Sequence, residues 1–403
     1  MWPDSEPAGG SPSDPLAMAG KLGDLAAASG IRRISVLAWR DLDDPEAGGS
    51  EVHAHEVLRR WSEAGIDVTM RTSYAAGHPQ TRWRDGYRVI RKAGRYLVFP
   101  RASFSEIMKW HGDRDAVVEI WNGMPFFSPM WSNVPHVTWL HHVHADMWKM
   151  SLPPRLASFG NFVESSFAPL LYRRTPIVTL SESSKHELVE ELGFKADRVH
   201  VVPPGIDPRF SAAPEVARSP VPLVVAVGRL VPVKRFDALI RELVTLRARH
   251  PELRAVIVGE GYEREKLEAL RHELGAESWI DLPGRISDDD LVDLYRRAWV
   301  VASASAREGW GMTVTEAAAC GTPAVATRIA GHLDAVVEDV TGLLVDSDAE
   351  LGAALEQVIE DPVLRERLQH AALEHARRFT WERTAYGTLA VLAARTGRTR
   401  THR

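Results

Sequence analysis

AWVVASASAREGWGMTVTEAAACGTPAVAT, residues 298–327, reads as strand, sharp loop, short helix, strand. Val300 and Val301 continue an apolar run of the kind a buried parallel strand shows. The run gives way to Arg307-Glu308-Gly309-Trp310-Gly311, where two glycines allow backbone conformations that other residues avoid. The pattern predicts a helix that begins near Thr313 and ends at Cys320-Gly321, with Gly321 in the usual helix-terminating place. Exposed amides at such a helix start make a ready site for a phosphate or a sugar oxygen. Glu308 lies before the helix and Glu316 in its first turns, so both carboxylates are expected to face one ligand. Thr313-x-x-Glu316 also has a plainer reading, as a capping box that satisfies a helix start.

Upstream, the second half of the chain opens on an apolar strand at 223–227, followed by Gly228-Arg229-Leu230-Val231-Pro232-Val233-Lys234-Arg235. Phe236, Leu239, Ile240, Leu243 and Leu246 then recur at helical spacing. Arg229 and Lys234 flank the strand-to-helix turn, where two fixed cations suit a diphosphate. Strands at 255–258 and 279–282 and helices at 263–274 and 288–298 carry the alternation up to the opening stretch. Pro283-Gly284-Arg285-Ile286 sits at a strand's carboxyl end, where open α/β sheets bind ligands.

The first half follows the same plan. A strand at 31–39 runs out through Arg40-Asp41-Leu42-Asp43 to Gly48-Gly49 and a helix. Paired glycines in that position let backbone amides approach a phosphate. Asp41 and Asp43 imitate a metal-holding Asp-x-Asp, but they precede a glycine-rich phosphate loop, so no metal is expected. Further strands are read at 67–71, 87–90, 96–99, 116–121, 136–140 and 177–180, an α/β pattern. Between residues 82 and 109 eight basic residues, Arg82 to Lys109, face only Asp85 and Glu106, with Trp83, Tyr87, Tyr96, Phe99, Phe104 and Trp110 interleaved. Such a face suits an anionic membrane or a phosphorylated acceptor, or is simply the solvated side of a strand pair with core aromatics. His141, His142 and His144 suggest metal, but no cysteines or matching cluster support it.

With 403 residues the chain has room for two domains with cores of their own. A net charge of -5 gives no reason to expect nucleic acid, and the single cysteine excludes an internal disulfide and fits a reducing cytoplasm. No apolar run approaches the ~20 residues of a membrane span. Residues 1–30, which begin acidic and Pro/Gly/Ser-rich, are read as a disordered tail. Residues 211–222 read as an interdomain linker.

Glu308, seven residues, then Glu316, with Gly-Trp-Gly-Met between, resembles the signature of retaining glycosyltransferase family 4. The glycine loop, a strand-end histidine, Pro204-Gly205-Ile206-Asp207, Gly228-Arg229 with Lys234, and Gly284-Arg285-Ile286 occur in the family's order, over about residues 31–393. The resemblance implies the GT-B architecture, two Rossmann-like domains facing across a cleft. It divides the chain into an acceptor-side domain at 31–210, a nucleotide-sugar-binding domain at 223–379, and a helix at 380–394 that crosses back to the first. It implies transfer of a sugar from a UDP- or GDP-linked donor to a glycan, lipid-linked or small-molecule acceptor, with retention, and with no cofactor or metal. The catalytic set is Glu308, His141, Arg229 and Lys234, with His142 as the second match for the histidine. Donor contacts are expected from Gly48, Gly49, Arg229, Lys234, Arg285, Ile286, Glu308, Gly309, Trp310, Gly311, Met312, Thr313 and Glu316. In these roles Glu308 and His141 hold the sugar, Glu316 the ribose, and the cations and amides the diphosphate. The competing readings are a glycan phosphorylase, a sugar-nucleotide epimerase and a non-catalytic sugar-nucleotide-binding protein. Localisation is expected to be cytoplasmic, with peripheral contact at the inner face of the membrane left open.

Overall fold

The computed structural model describes residues 15–144, 148 and 153–400. Eight strands form one sheet: β1 (Arg33–Leu37), β2 (Asp67–Thr72), β3 (Thr81–Arg84), β4 (Tyr87–Arg91), β5 (Ala116–Ile120), β6 (His136–Trp139), β7 (Ile177–Thr179) and β8 (Val199–Val201). Their order is β3-β4-β2-β1-β5-β6-β7-β8, with β3 antiparallel to β4 and β4–β2, β2–β1, β1–β5, β6–β7 and β7–β8 parallel. Six strands form the other: β9 (Leu223–Val227), β10 (Arg254–Val258), β11 (Ile280–Gly284), β12 (Val300–Ser303), β13 (Ala324–Thr327) and β14 (Gly342–Val345). They lie in the order β11-β10-β9-β12-β13-β14, and every pair is parallel. That is the Rossmann order, 3-2-1-4-5-6. Both sheets are thus of the expected doubly wound α/β kind.

The inner strands of the six-stranded sheet are buried on both faces, which is why β9, β12 and β13 are mostly Val, Ala and Leu. Leu239, Leu243, Leu267, Leu355 and Leu368 seal one face together with Val224 and Ile257. Tyr295, Ala298, Ala317 and Cys320 pack with Val225 and Val301.

The chain forms two compact units, Met1–Ile120 with Ser128–Val137 and Arg378–Arg403, and Trp121–Phe127 with Thr138–Arg377. Within the second unit, residues 182–187 are held to the second half of the chain. Asp334 accepts hydrogen bonds from the amides of Glu182 and Ser183 at 2.8 and 3.1 Å, and Arg307 pairs with Glu187 at 3.0 Å. In the first unit the helix Trp381–Arg400 packs on the helix Gly49–Glu63, where the Trp61 indole donates to the Ala385 carbonyl at 2.9 Å.

Two local expectations are corrected. Pro15–Ser29 is a helix and not tail; Leu22 and Ala26, one turn apart, are buried, and the helix packs on Trp381–Arg400. Residues 1–14 lie outside the described residues. The strand expected at 96–99 is the entry to the helix Val98–Ile107, whose Val98, Ala102 and Ser105 supply a buried stripe at helical spacing.

Candidate active site

In the Rossmann order the chain leaves β9 to one side and β12 to the other, although the two strands are neighbours. The loops at their carboxyl ends therefore flank a switch point, the usual ligand crevice of an open α/β sheet. Lys234 leaves β9 through the short 3-10 turn Pro232–Lys234, which Arg235 ends in the left-handed region at φ 50. The Ala306 amide donates to the Val233 carbonyl at 2.8 Å and ties the two loops together. Lys234 and Glu308 meet as a result: Nζ donates to Oε1, and the Ser305 hydroxyl donates to the same oxygen at 2.8 Å. Oε2 accepts no hydrogen bond among the described residues and is left for a ligand.

Burial pushes the Glu308 carboxyl upward, but the Lys234 ammonium and the Ser305 hydroxyl outweigh it and hold it below its ordinary value. The group is a carboxylate at neutral pH. His332 is fully buried. Its Nδ1 donates to the Thr327 carbonyl at 2.9 Å, and Nε2 faces the Ser303 hydroxyl at 3.3 Å. Burial lowers its pKa, so the ring is neutral and polar without adding charge.

Close backbone approaches fix the Glu308–Gly311 loop. A Cβ on Gly309 would stand 2.5 Å from the His141 carbonyl oxygen, and one on Gly331 2.7 Å from the Trp310 nitrogen. Gly311 has φ 98 and caps the helix Met312–Ala319 without a side-chain bond. Thr313 is thus the second helical residue, and the capping-box reading fails for want of a cap position. Trp310 is buried, while Met312 and Thr313 are half-buried at the helix start. The helix closes at Cys320, which is buried with its thiol pushed up to about 12, mainly by burial.

Glu316 faces other company. Burial, then Asp207 and Asp288, push its carboxyl up to about 7, against the Tyr295 hydroxyl and Arg209. The groups that act most strongly on Glu308 and on Glu316 are different ones.

The His142 ring lies among charged groups. Burial, with Arg307, Arg229 and Lys234, outweighs Glu308 and lowers its pKa to about 4. Its Nε2 is buried without a partner, and the ring stacks on His144 at 4.8 Å. His141 is buried and offers its carbonyl to the Gly309 approach. The His144 amide donates to Glu164 at 2.9 Å. Arg229 is exposed and makes no ion pair among the described residues; Arg285 is exposed and Ile286 half-buried beyond β11. Among the described residues one group of three metal-type ligands occurs, His250, Glu356 and Glu360, and Arg249 already holds Glu356 at 2.7 Å.

Gly48 and Gly49 belong to the first unit. Gly48 caps the helix Gly49–Glu63, and its amide donates to the Glu51 carboxylate at 2.8 Å. Asp41 accepts from Arg91 at 2.9 and 2.6 Å, and Asp43 accepts from Arg82, Arg84 and Arg91. Burial opposes it, but these guanidiniums lower the Asp43 carboxyl to about 2. Arg95 pairs with Glu46 at 2.8 Å and Lys109 with Asp113 at 2.7 Å. The supposed basic face of residues 82–109 is therefore largely neutralised.

Residues 47–210 match the family described as Glycosyltransferase Family 4, and residues 210–375 that of Glycosyl transferases group 1. The D-inositol 3-phosphate glycosyltransferase of Kribbella flavida is 37% identical over 412 residues, covering 89% of this chain and 95% of that protein. The chain belongs to glycosyltransferase family 4. The transferase is also similar to the D-inositol 3-phosphate glycosyltransferase of Acidothermus cellulolyticus, at 29% identity over 89% of this chain and 90% of the relative. Sucrose-phosphate synthase from Thermosynechococcus elongatus shares its fold with a TM-score of 0.73 at 19% identity, over 92% and 98% of the two chains. Anabaena HepE in complex with UDP and glucose does so at 0.66 and 19%, over 92% and 100%. These solved structures share the GT-B fold.

The transferase uses a nucleotide-sugar donor, as its family does. Sequence reading missed Ser305, His332 and Tyr295 in its site. Gly331-His332, after a strand and before a helix, has the same strand-end placement as the motifs that were found, and would have been the signal.

Proposed function

We propose that the transferase moves a hexose from a UDP-linked donor to a phosphorylated cyclitol, of which inositol 3-phosphate is the model, with retention and without a metal. The observation that carries this reading is the Glu308 carboxylate, held on one oxygen by Lys234 and Ser305 at the switch point, with the His142 ring nearby. In the reaction the bond from C1 to the diphosphate oxygen breaks. The acceptor hydroxyl oxygen forms the new bond to C1 from the leaving-group face, and its proton passes to the departing diphosphate. Arg229, Lys234 and the amides from Gly311 to Thr313 stabilise charge that grows on the diphosphate, an oxyanion-hole role. Glu308 Oε2 and the His142 ring orient the sugar, and the Glu308 carboxylate lends negative charge to the cationic C1. His142 takes the role first given to His141. Glu316, once ionised, accepts from the ribose hydroxyls, and the turn at Arg285-Ile286 borders the base.

The UDP-linked donor is proposed by analogy with HepE, whose complex contains UDP and glucose, and the acceptor by analogy with the relatives' names. No helix among the described residues is long and apolar enough to cross a membrane. A lipid-linked acceptor met at a membrane surface is the second reading, favoured by Tyr96, Leu97, Phe104, Ile107 and Trp110, all at least half exposed.

The test incubates the protein with UDP- and GDP-linked hexoses and with inositol 3-phosphate or unphosphorylated inositol. Proton NMR of the product reads the anomeric configuration. We expect transfer from the UDP-linked donor to the phosphate-bearing acceptor, an unchanged anomer and full turnover after exhaustive chelation. Inversion, or loss of activity that magnesium or manganese restores, overturns the mechanism.

A further inference from the structure

Arg71, the penultimate residue of β2, is 3% exposed, and its Nε and Nη1 are buried with no hydrogen-bond partner. Side chains alternate along a strand, and β2 pairs with β4 in the register Thr69↔Arg88 and Arg71↔Ile90. Arg71, Arg88 and, one residue past β4, Lys92 therefore share one side of the sheet. The helix Val98–Ile107 packs on β2 and carries Arg101. Arg88 donates to the His111 carbonyl at 3.3 Å, and none of these four cations has a carboxylate partner among the described residues. The carboxylate closest in charge to Arg71 is Glu106, and Arg114 already holds it at 3.2 Å.

The contrast within the same stretch is sharp. Arg82, Arg84, Arg91, Arg95 and Lys109 are each paired with an acid, whereas the cations around Arg71 are not. Burial and then the neighbouring cations lower the His111 pKa to about 4, so it adds no charge at neutral pH. A buried guanidinium without a counter-charge is costly. The ligand that offsets it is an anion with several acceptor oxygens, which guanidinium forks bind well. Arg71 and Lys92 stand at the carboxyl ends of β2 and β4, the end where such sheets take ligands.

We propose that Arg71, Arg88, Lys92 and Arg101 form a phosphate-binding site in the first unit, which takes the phosphate monoester of the acceptor. Its assignment to an acceptor rests on the reading under Proposed function; the anion site itself does not.

The experiment titrates the whole protein, saturated with UDP to fill the donor site, with inorganic phosphate, inositol 3-phosphate and inositol in calorimetry at low salt. Sedimentation with phosphatidic acid or phosphatidylcholine vesicles forms a second arm. We expect saturable binding of phosphate and inositol 3-phosphate but not of inositol, weakened at least tenfold in Arg101→Gln and in Arg71→Met. Arg101 is exposed, so Arg101→Gln remains informative if Arg71→Met does not fold; retained UDP affinity checks the fold. Binding to phosphatidic acid vesicles alone, lost in Arg101→Gln, assigns the same site to a lipid phosphate. Failure of the wild type to bind in either arm, or equal binding by wild type and variants, overturns the site. Phosphate bound at the site without transfer to inositol 3-phosphate sinks the acceptor reading alone. Transfer with an unchanged acceptor KM in Arg101→Gln sinks the site alone.

Discussion

Two clusters of acids and cations follow two strands of this molecule. After β1, Asp41 and Asp43 meet Arg82, Arg84 and Arg91. All four carboxylate oxygens accept hydrogen bonds, the last from the Asp43 amide at 3.1 Å. After β12, Glu308 meets Lys234 and Ser305 on a single oxygen and keeps the other. The first cluster is saturated and holds the frame together. The second leaves Oε2 without a hydrogen bond among the described residues, and the proposed sugar contact falls on that oxygen. An Asp-x-Asp in sequence says nothing about which case applies, because Arg91 lies 50 positions away from Asp41.

The comparison breaks most visibly at Arg91. Arg91→Met strips the buried Asp41 and the half-buried Asp43 of their central partner and should cost ~3–5 kcal/mol in denaturant unfolding, the usual loss on breaking a buried pair. A change below about 1 kcal/mol would mean that the first cluster is not structural. At Glu308 the expectation is inverted. Glu308→Gln should leave unfolding nearly unchanged but lower kcat by ~10²–10³, the scale of one lost transition-state contact, with little change in UDP affinity. Near-normal turnover would remove Glu308 from the chemistry.

Glu316 sharpens the contrast through pH. Its folded carboxyl titrates at about 7 against an ordinary 4.5, so the folded state binds a proton more tightly than the unfolded chain. The stability gained is full below 4.5 and is lost as pH rises through 7. Ribose binding runs the other way, because the ionised carboxylate is the acceptor. UDP affinity should rise about tenfold between pH 6 and 8, following the ionised fraction, and Glu316→Gln should flatten both profiles. A wild-type affinity that is flat in calorimetry over that range would count against the ribose role.

The parts of the site legible in the sequence are those in which a strand end, a glycine and a charged residue stand close together. Glu308 with Gly309 and Gly311, Arg229 with Lys234, and the alternation of the second half are of this kind. What escaped depends on the order of strands in space. His332 reaches the Glu308 loop only because β13 lies beside β12, and Ser305 looks like any loop serine until its hydroxyl is seen on Oε1. Spacing alone leaves the doubled histidine open, and the proposal of His142 rests on the charges that surround its ring. The basic stretch kept two readings open because its counter-charges, Asp41, Asp43 and Glu46, come from a different segment, and Arg71, the buried cation of the proposed anion site, lies outside it.

Cys320 has a practical consequence. It is the one sulfhydryl in the chain, and it is enclosed at the end of the helix that starts at Gly311 and carries Glu316. Only a thiolate reacts with an alkylating reagent, and neither exposure nor ionisation is available to this one while the helix is packed. Modification must wait until the helix opens, so the rate of labelling is a clock for that opening. A nucleotide bound at the helix start should slow the clock, which gives a measure of donor binding that needs no acceptor and no turnover.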